Sequence, residues 1–132
     1  MPDTKTETRA VLSFVRLELA RTAEFPQGSP DHGYEFVAPL TKDGHIDAAA
    51  WKEVKDRCEV TRMWGSEPAQ TGRLRHVGGG WRFDYDPKDD TDDEPFFKLD
   101  RHALAPGAYV SITEQDGVQR PFKVASVIPV GK

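Results

Sequence analysis

Apolar and polar side chains alternate along several short stretches of this chain, which is the pattern of half-buried β-strands. In the first stretch, Val15, Leu17 and Leu19 alternate with Arg16 and Glu18. A helix would also bring Val15 and Leu19 to one face, but the unbroken alternation over five positions favours a strand. The sequence therefore predicts a strand here, with the three aliphatic side chains facing the core.

A second strand is predicted at 34–40, where Tyr34, Phe36 and Ala38 occupy alternate positions. The segment 25–33 before it is rich in proline, glycine, serine and aspartate, the residues that interrupt regular structure. We therefore expect a loop over 25–33 that leads into the second strand.

One stretch has the helical period instead. Asp47 is a good N-cap and is followed by three alanines, the best helix formers. Trp51, Val54 and Cys58 then fall at i, i+3 and i+7, which places them on one apolar stripe. The sequence predicts one short helix at about 47–58 that packs on a sheet through this stripe.

The clearest hairpin lies in residues 71–86. A two-residue turn at Gly78–Gly79 gathers its apolar side chains on one face, whereas a three-residue loop would bury arginines. The favoured register gives four facing pairs: Leu74–Phe83, His76–Trp81, Arg73–Asp84 and Arg75–Arg82.

A second hairpin joins 108–114 to 120–128. Here a three-residue loop at 115–117 is favoured, because it sets Val110 opposite Phe122 and keeps lysine out of the core. Gly117 then occupies the bulge position that requires a positive φ.

The stretch 102–127 resembles the closing hairpin of many small bacterial β-barrel domains, and the resemblance implies a curved sheet but no function. With a further strand at 60–64, the pattern gives six or seven strands. The predicted fold is α+β: a strongly curved antiparallel sheet or partly open small β-barrel with one short helix. We expect a single domain over 10–130 and a disordered N-terminal tail over 1–9.

The composition is that of one ordinary domain. A chain of 132 residues buries enough surface to fold without a disulfide or a structural metal. It has one cysteine, which excludes an intramolecular disulfide and favours a reducing compartment. The polar start shows no signal peptide, and no apolar stretch is long enough to span a membrane. The predicted location is the cytoplasm.

The net charge of −4 is concentrated in one segment. Residues 86–94 hold six acidic side chains and one lysine, a net of −5, so −4 overall leaves +1 for the rest of the chain. A nearly neutral body lacks the broad positive surface of a nucleic-acid-binding domain. The acidic run could bind Ca²⁺ or Mg²⁺, but its spacing does not fit an EF-hand, and a solvated acidic loop is the favoured interpretation.

No common catalytic or phosphate-binding motif is present. The four histidines are far apart in the sequence: His32, His45, His76 and His102. Cys58 lies at the end of the predicted helix, where the helix dipole disfavours a thiolate. The sequence therefore predicts no metal ligand and no cofactor, and it leaves the catalytic residues, if the protein is an enzyme, unidentified.

The outer face of the 71–86 hairpin gives the main functional hint. Arg75 directly opposite Arg82 is unfavourable, so an anion from a partner or the acidic run must compensate. Compensation by the chain's own acidic run is the simpler explanation and is preferred. The predicted contact surface combines this face with nearby aromatic side chains: Arg73, Arg75, Arg82, Trp64, Trp81 and His76.

Three functions remain open from the sequence. The first is a small intracellular binding module without catalytic activity, whose partner is a protein or a small anionic ligand. The second is a small enzyme or metal-dependent hydrolase that uses histidines and acids from the region 76–102. The third is single-stranded nucleic-acid binding on an aromatic sheet face, which the acidic balance disfavours.

Overall fold

A computed structural model of the chain describes residues 10–77, 80–85, 94–97, 103–114 and 117–130. The predicted tail 1–9, His102 and most of the acidic loop at 86–94 lie outside these residues. Only Glu94 of that loop falls within them, as the first residue of a short strand.

The described residues form eight strands, one α-helix and one 3-10 turn. Their bounds are β1 (Val11–Leu19), β2 (Ser29–Leu40), α1 (Ala48–Val54), the 3-10 turn (Lys55–Arg57), β3 (Glu59–Trp64), β4 (Glu67–Val77), β5 (Gly80–Asp84), β6 (Glu94–Phe97), β7 (Tyr109–Thr113) and β8 (Gln119–Pro129). Within this part of the chain, no helix has the length and apolar character needed to cross a bilayer.

The strands form one antiparallel sheet in which each strand pairs with its neighbours along the chain, and β8 pairs with β1. The sheet curls through 261°, so it wraps most of the way around a central axis. The four-residue strand β6 bridges β5 and β7, so the hydrogen-bonded strand order closes. The predicted α+β fold with a strongly curved antiparallel sheet is confirmed, and the eight observed strands include β6, which is additional to the six or seven predicted.

The predicted alternation places the expected side chains inside. Val15 and Leu17 of β1 are fully buried, as are the aromatic rings of Tyr34, Phe36 and Phe83. The ring centroids of Tyr34 and Phe83 lie 5.0 Å apart, and those of Phe36 and Phe83 lie 5.3 Å apart. Packed side chains thus fill the middle of the barrel, while its two ends differ in chemistry.

Both predicted hairpin registers are confirmed. All four predicted pairs of the 71–86 hairpin are present between β4 and β5. In the closing hairpin, Val110 faces Phe122, and Gly117 has a φ of 83°. A one-residue slip in either hairpin would turn the apolar side chains to solvent, which explains why the core selects these registers.

Strand β2 begins earlier than predicted. It starts at Ser29, although 25–33 was expected to be a loop. The pairing with β1 shifts between Glu18 and Leu19, which is how the irregular segment joins the sheet. Gly33 is essential there, because a Cβ would lie 2.0 Å from the carbonyl oxygen of Leu17.

The helix closes one end of the barrel. The Asp47 side chain accepts a hydrogen bond from the Ala50 N–H at 3.1 Å, as expected of an N-cap. Trp51 is buried, and its indole N–H donates to the carbonyl of Leu74 at 2.9 Å. The α-helix is shorter than the predicted 47–58, since the 3-10 turn replaces its last turn and brings Cys58 to a fully buried position.

Candidate functional site

The end of the barrel beneath α1, here called the helix end, is lined by Trp51, His76 and Trp81. The rings of His76 and Trp81 stack with centroids 4.2 Å apart, and Trp51 meets Trp81 edge-on at 5.7 Å. Trp81 is buried. Two of the predicted contact residues, His76 and Trp81, therefore belong to an aromatic cluster packed against the helix.

The three predicted arginines lie on the outer face of β4 and β5. Arg75 faces Arg82, as predicted. A carboxylate from the same hairpin compensates the pair, because Arg75 Nη1 lies 2.6 Å from Oδ2 of the buried Asp84. Arg73 lies 3.9 Å from a carboxylate oxygen of Glu59. Recognition of an anionic partner by this face stays a prediction.

Trp64 is separated from the other predicted residues. It ends β3, at the end of the barrel opposite α1. Gln70, which neighbours it in the lining of this end, is six residues from His76 along β4, a distance of about 20 Å in an extended strand. The six predicted residues thus divide among the outer face, the helix end and the far end of the barrel.

At this far end, here called the mouth, three strands direct a charged side chain inward. In β3 the buried position of Val60 is followed by Arg62, and in β8 the buried Phe122 is preceded by Arg120. The alternation of β7 continues past the fully buried Ile112 to Glu114, which is also buried. The mouth therefore has a charged floor above an apolar core.

The three charged groups are in contact. Arg62 Nη2 donates to Glu114 Oε1 at 3.1 Å, and Arg120 Nη1 lies 3.9 Å from the same oxygen. The hydroxyl of Tyr34 donates to Glu114 Oε2. The side chains of Arg62, Glu114 and Arg120 are only 11%, 1% and 10% exposed. Both carboxylate oxygens of Glu114 are thus bound inside the protein.

The electrostatics keep Arg62 charged. Burial lowers the pKa of the Arg62 guanidinium, but the negative charge of Glu114 and the contact with Tyr34 raise it by more, so the net effect is a raised pKa. A buried charge is tolerated only when it is paired and hydrogen-bonded. Arg62 and Glu114 meet that condition.

Two exposed glutamates stand on the solvent side of the arginines. Glu24 Oε1 accepts from Arg120 Nε at 3.2 Å, and Glu67 Oε1 lies 4.0 Å from Arg62 Nη1. The side chains of Glu24 and Glu67 are 59% and 65% exposed. In each pair the arginine is almost buried but the glutamate is exposed, so water can replace the carboxylate and the pair contributes little to stability.

An aromatic ring forms the apolar wall of the mouth. The guanidinium carbon of Arg62 lies 4.5 Å from the ring centroid of Trp64, and that of Arg120 lies 5.8 Å from it. The floor and the wall enclose a cleft of about 540 Å³, lined by Arg62, Trp64, Glu67, Pro68, Gln70, Glu114 and Arg120. The cleft has the size and the mixed lining of a small-molecule site.

The described residues offer little for covalent or metal chemistry. Burial raises the pKa of the Cys58 thiol to about 11, and the thiol donates to the carbonyl of Val54 at 3.5 Å. Among the described residues, no three His, Cys, Asp or Glu side chains come together to hold a metal ion. The hydrolase hypothesis stays a prediction, because His102 and most of its acids lie outside these residues.

The mouth was missed in the sequence because its residues are charged. The alternation of apolar and polar positions predicts that three charged side chains face inward, because each lies two residues from an inward-facing apolar residue: Arg62, Glu114 and Arg120. A charged residue at an inward position departs from the pattern of a packed core. That departure is the signal of the mouth in the sequence, but the arginines of the outer face at 73, 75 and 82 are the more conspicuous ones.

Comparison with known proteins adds no relative. No family model matches the chain, and no curated protein or solved structure is significantly similar to it.

Proposed function

We propose that this protein is a small binding module without catalytic activity, and that its ligand is a small anion held in the mouth of the barrel. The observation that carries the proposal is the pair of arginines, Arg62 and Arg120, which are almost fully buried yet line an open cleft. Arginine is the side chain best suited to bind carboxylate or phosphate groups, because its planar fork donates several hydrogen bonds.

The cost of the buried charges supports a functional role. Replacing a buried ion pair by apolar side chains of similar volume is often neutral or stabilising. Most of the other described buried residues are apolar, with Leu17, Val60 and Phe122 among them. Charges kept at one end of such a core are better explained by a ligand than by stability.

The position of the cleft also supports the proposal. Ligand sites are often found in the mouths of β-barrels, where a few polar groups in an apolar lining fix the orientation of the ligand. Here the apolar wall is Trp64 with Pro68, and the polar groups are Gln70, the arginines Arg62 and Arg120, and the glutamates Glu67 and Glu114. The single, deeply buried Cys58 agrees with the cytoplasmic location inferred from the sequence.

The test is an NMR titration of the ¹⁵N-labelled protein with acetate, benzoate, inorganic phosphate and sulfate, each alone. The indole N–H signal of Trp64, assigned with the variant Trp64→Phe, reports on the mouth, and the signals of Trp51 and Trp81 report on the helix end. We expect at least one anion to shift the Trp64 signal to saturation and to leave the other two unchanged.

The matched variants are Arg120→Gln and Arg57→Gln. Both remove one positive charge, but Arg57 is exposed in the 3-10 turn, away from the mouth. We expect Arg120→Gln to abolish the shift and Arg57→Gln to retain it. The proposal fails if no anion shifts the Trp64 signal to saturation, or if both variants bind as the native protein does.

A further inference from the structure

We infer that the ligand of the mouth is a flat monocarboxylate, whose carboxylate takes the place of the Glu24 side chain on Arg120. The inference rests on the proposed function and names the ligand class of the same cleft. Three features of the mouth carry it: a carboxylate already held at the rim, a buried negative charge below it, and an aromatic wall beside it.

The side chain of Glu24 shows where a carboxylate fits. Its Oε1 accepts from Arg120 Nε at 3.2 Å on the solvent side of the guanidinium. More than half of the side chain is exposed, so its pairing with Arg120 is weak. A carboxylate that brings additional apolar contacts can replace it at the same donor. Glu24 is thus an internal competitor for the site.

The exchange requires no rearrangement of the backbone. Within the loop that carries Glu24, the N–H of Thr22 donates to the carbonyl of Phe25 at 3.0 Å, and the N–H of Gly28 donates to the same carbonyl at 2.8 Å. The ring of Phe25 packs on His32 with centroids 4.6 Å apart. Because the loop is held on both sides of Glu24, only the side chain of Glu24 has to move outward.

The charge of the floor favours a single negative charge on the ligand. The buried carboxylate of Glu114 lies 3.9 Å from Arg120 Nη1, close beneath the position of the incoming anion. Glu67 adds a further negative charge at the rim. Like charges at this separation repel, and more strongly where the surroundings exclude water. A dianionic phosphate or a dicarboxylate is therefore disfavoured relative to a monocarboxylate.

The wall of the cleft favours a flat apolar group. Trp64 and Pro68 provide its apolar lining, and the guanidinium carbon of Arg62 lies 4.5 Å from the centroid of the Trp64 ring. Aromatic rings bury a large area with few rotatable bonds and pair well with one another. A ring attached to the carboxylate would lie along this wall.

The experiment compares benzoate with benzamide, which has nearly the same shape but no charge, and with inorganic phosphate. Binding is followed by the Trp64 indole signal and the Nε–H signal of Arg120. We expect benzoate to shift both signals and to bind at least about tenfold more tightly than benzamide or phosphate, because benzamide makes no charge-assisted hydrogen bonds and a dianion is repelled more strongly by the glutamates than a monoanion is.

The competitor role of Glu24 is tested with the variant Glu24→Gln against the control Glu59→Gln. Both variants remove one exposed carboxylate, but Glu59 lies beside Arg73 on the outer face. Removing the competitor should tighten benzoate binding about two- to fivefold, the range that an exposed ion pair supports. The control should leave the affinity unchanged.

The possible failures are distinguishable. If phosphate binds at the mouth in an Arg120-dependent way and benzoate does not, the ligand class is wrong and the proposed function stands. If benzamide binds as tightly as benzoate, or if Glu24→Gln and Glu59→Gln tighten binding equally, the exchange at Arg120 is wrong. If no anion shifts the Trp64 signal, both the inference and the proposed function fail.

Discussion

The two ends of this barrel are built from opposite chemistry. The helix end is closed by aromatic side chains, with Trp51 seated against His76 and Trp81. The mouth holds a buried ion pair between Arg62 and Glu114 beneath an open cleft. The same sheet supports both ends, so the difference lies in the inward-facing residues and not in the backbone.

This difference separates an end that stabilises the fold from an end at which we propose that a ligand binds. The aromatic contacts of the helix end bury large apolar area, which is the main source of folding free energy. The charged floor of the mouth contributes much less to the free energy of folding, because the cost of removing the charges from water offsets their attraction. Proteins commonly keep such unfavourable arrangements where a ligand is bound. The mouth is the end of the barrel that holds such buried charges.

The largest expected difference in stability between the two ends comes from truncating one tryptophan at each end. Trp51→Ala should lower the free energy of unfolding by about 3–5 kcal/mol, because it removes a buried ring and leaves a cavity. Trp64→Ala should cost only about 1–2 kcal/mol, since Trp64 is half-buried at the cleft. Urea denaturation measures both. Equal losses would mean that the mouth is as important for stability as the helix end.

The second-largest expected loss of stability comes from neutralising Glu114 in the floor of the mouth. Glu114→Gln keeps the shape of the side chain but leaves the buried Arg62 and the neighbouring Arg120 facing a neutral group, so we expect a loss of about 3 kcal/mol. The exposed Glu24→Gln should change stability by less than about 0.5 kcal/mol. Chemical denaturation compares the two. A small effect of Glu114→Gln would show that the ion pair is not held away from water.

At the helix end, the thiol of Cys58 gives a prediction for alkaline pH. Its pKa is raised by burial from 9.0 to about 11, so the folded state favours the neutral thiol. The resulting stabilisation is fully present below pH 9 and is lost as the pH rises to about 11, by on the order of 2 kcal/mol.

The measurement is the free energy of unfolding of the native protein and of Cys58→Ala at several pH values between 8 and 11. The native protein should lose stability more steeply than the variant over this range. Parallel curves would show that water reaches the thiol and that the helix end is less tightly closed than its packing indicates.

The smallest expected effect is at the N-terminus of α1. Asp47→Ala removes the side-chain acceptor of the Ala50 N–H and should cost about 1 kcal/mol. Asp43→Ala, in the exposed turn before the helix, should cost less than about 0.5 kcal/mol. Thermal unfolding distinguishes the two. An equal effect would mean that the cap does not hold the helix on the barrel.

Much of the fold could be predicted because its signals are local. The register of the 71–86 hairpin follows from one turn and the faces of two strands, and the observed pairs agree with it. The N-cap Asp47 and the stripe of Trp51 and Cys58 also depend only on neighbouring positions. The strand β6 was not predicted, since it begins at the last residue of the acidic run and its four residues form no long alternating pattern.

The candidate site could not be predicted in the same way. Arg62 and Glu114 are 52 residues apart in the sequence, and Glu24 and Arg120 are 96 apart. No spacing rule connects residues so distant. The predicted residue Trp64 does lie at the mouth, but its neighbours there were identified only after the strands were placed around the barrel.

The sequence by itself determined which side chains face inward, because the pleat of a strand turns alternate residues to opposite faces whatever the rest of the chain does. It also determined the helix and the two hairpin registers. The tertiary structure decided that β8 closes on β1, as in the pairing of Leu17 with Val124. That closure brings three inward charged residues from β3, β8 and the end of β7 to one place, and it depends on contacts that no local pattern encodes.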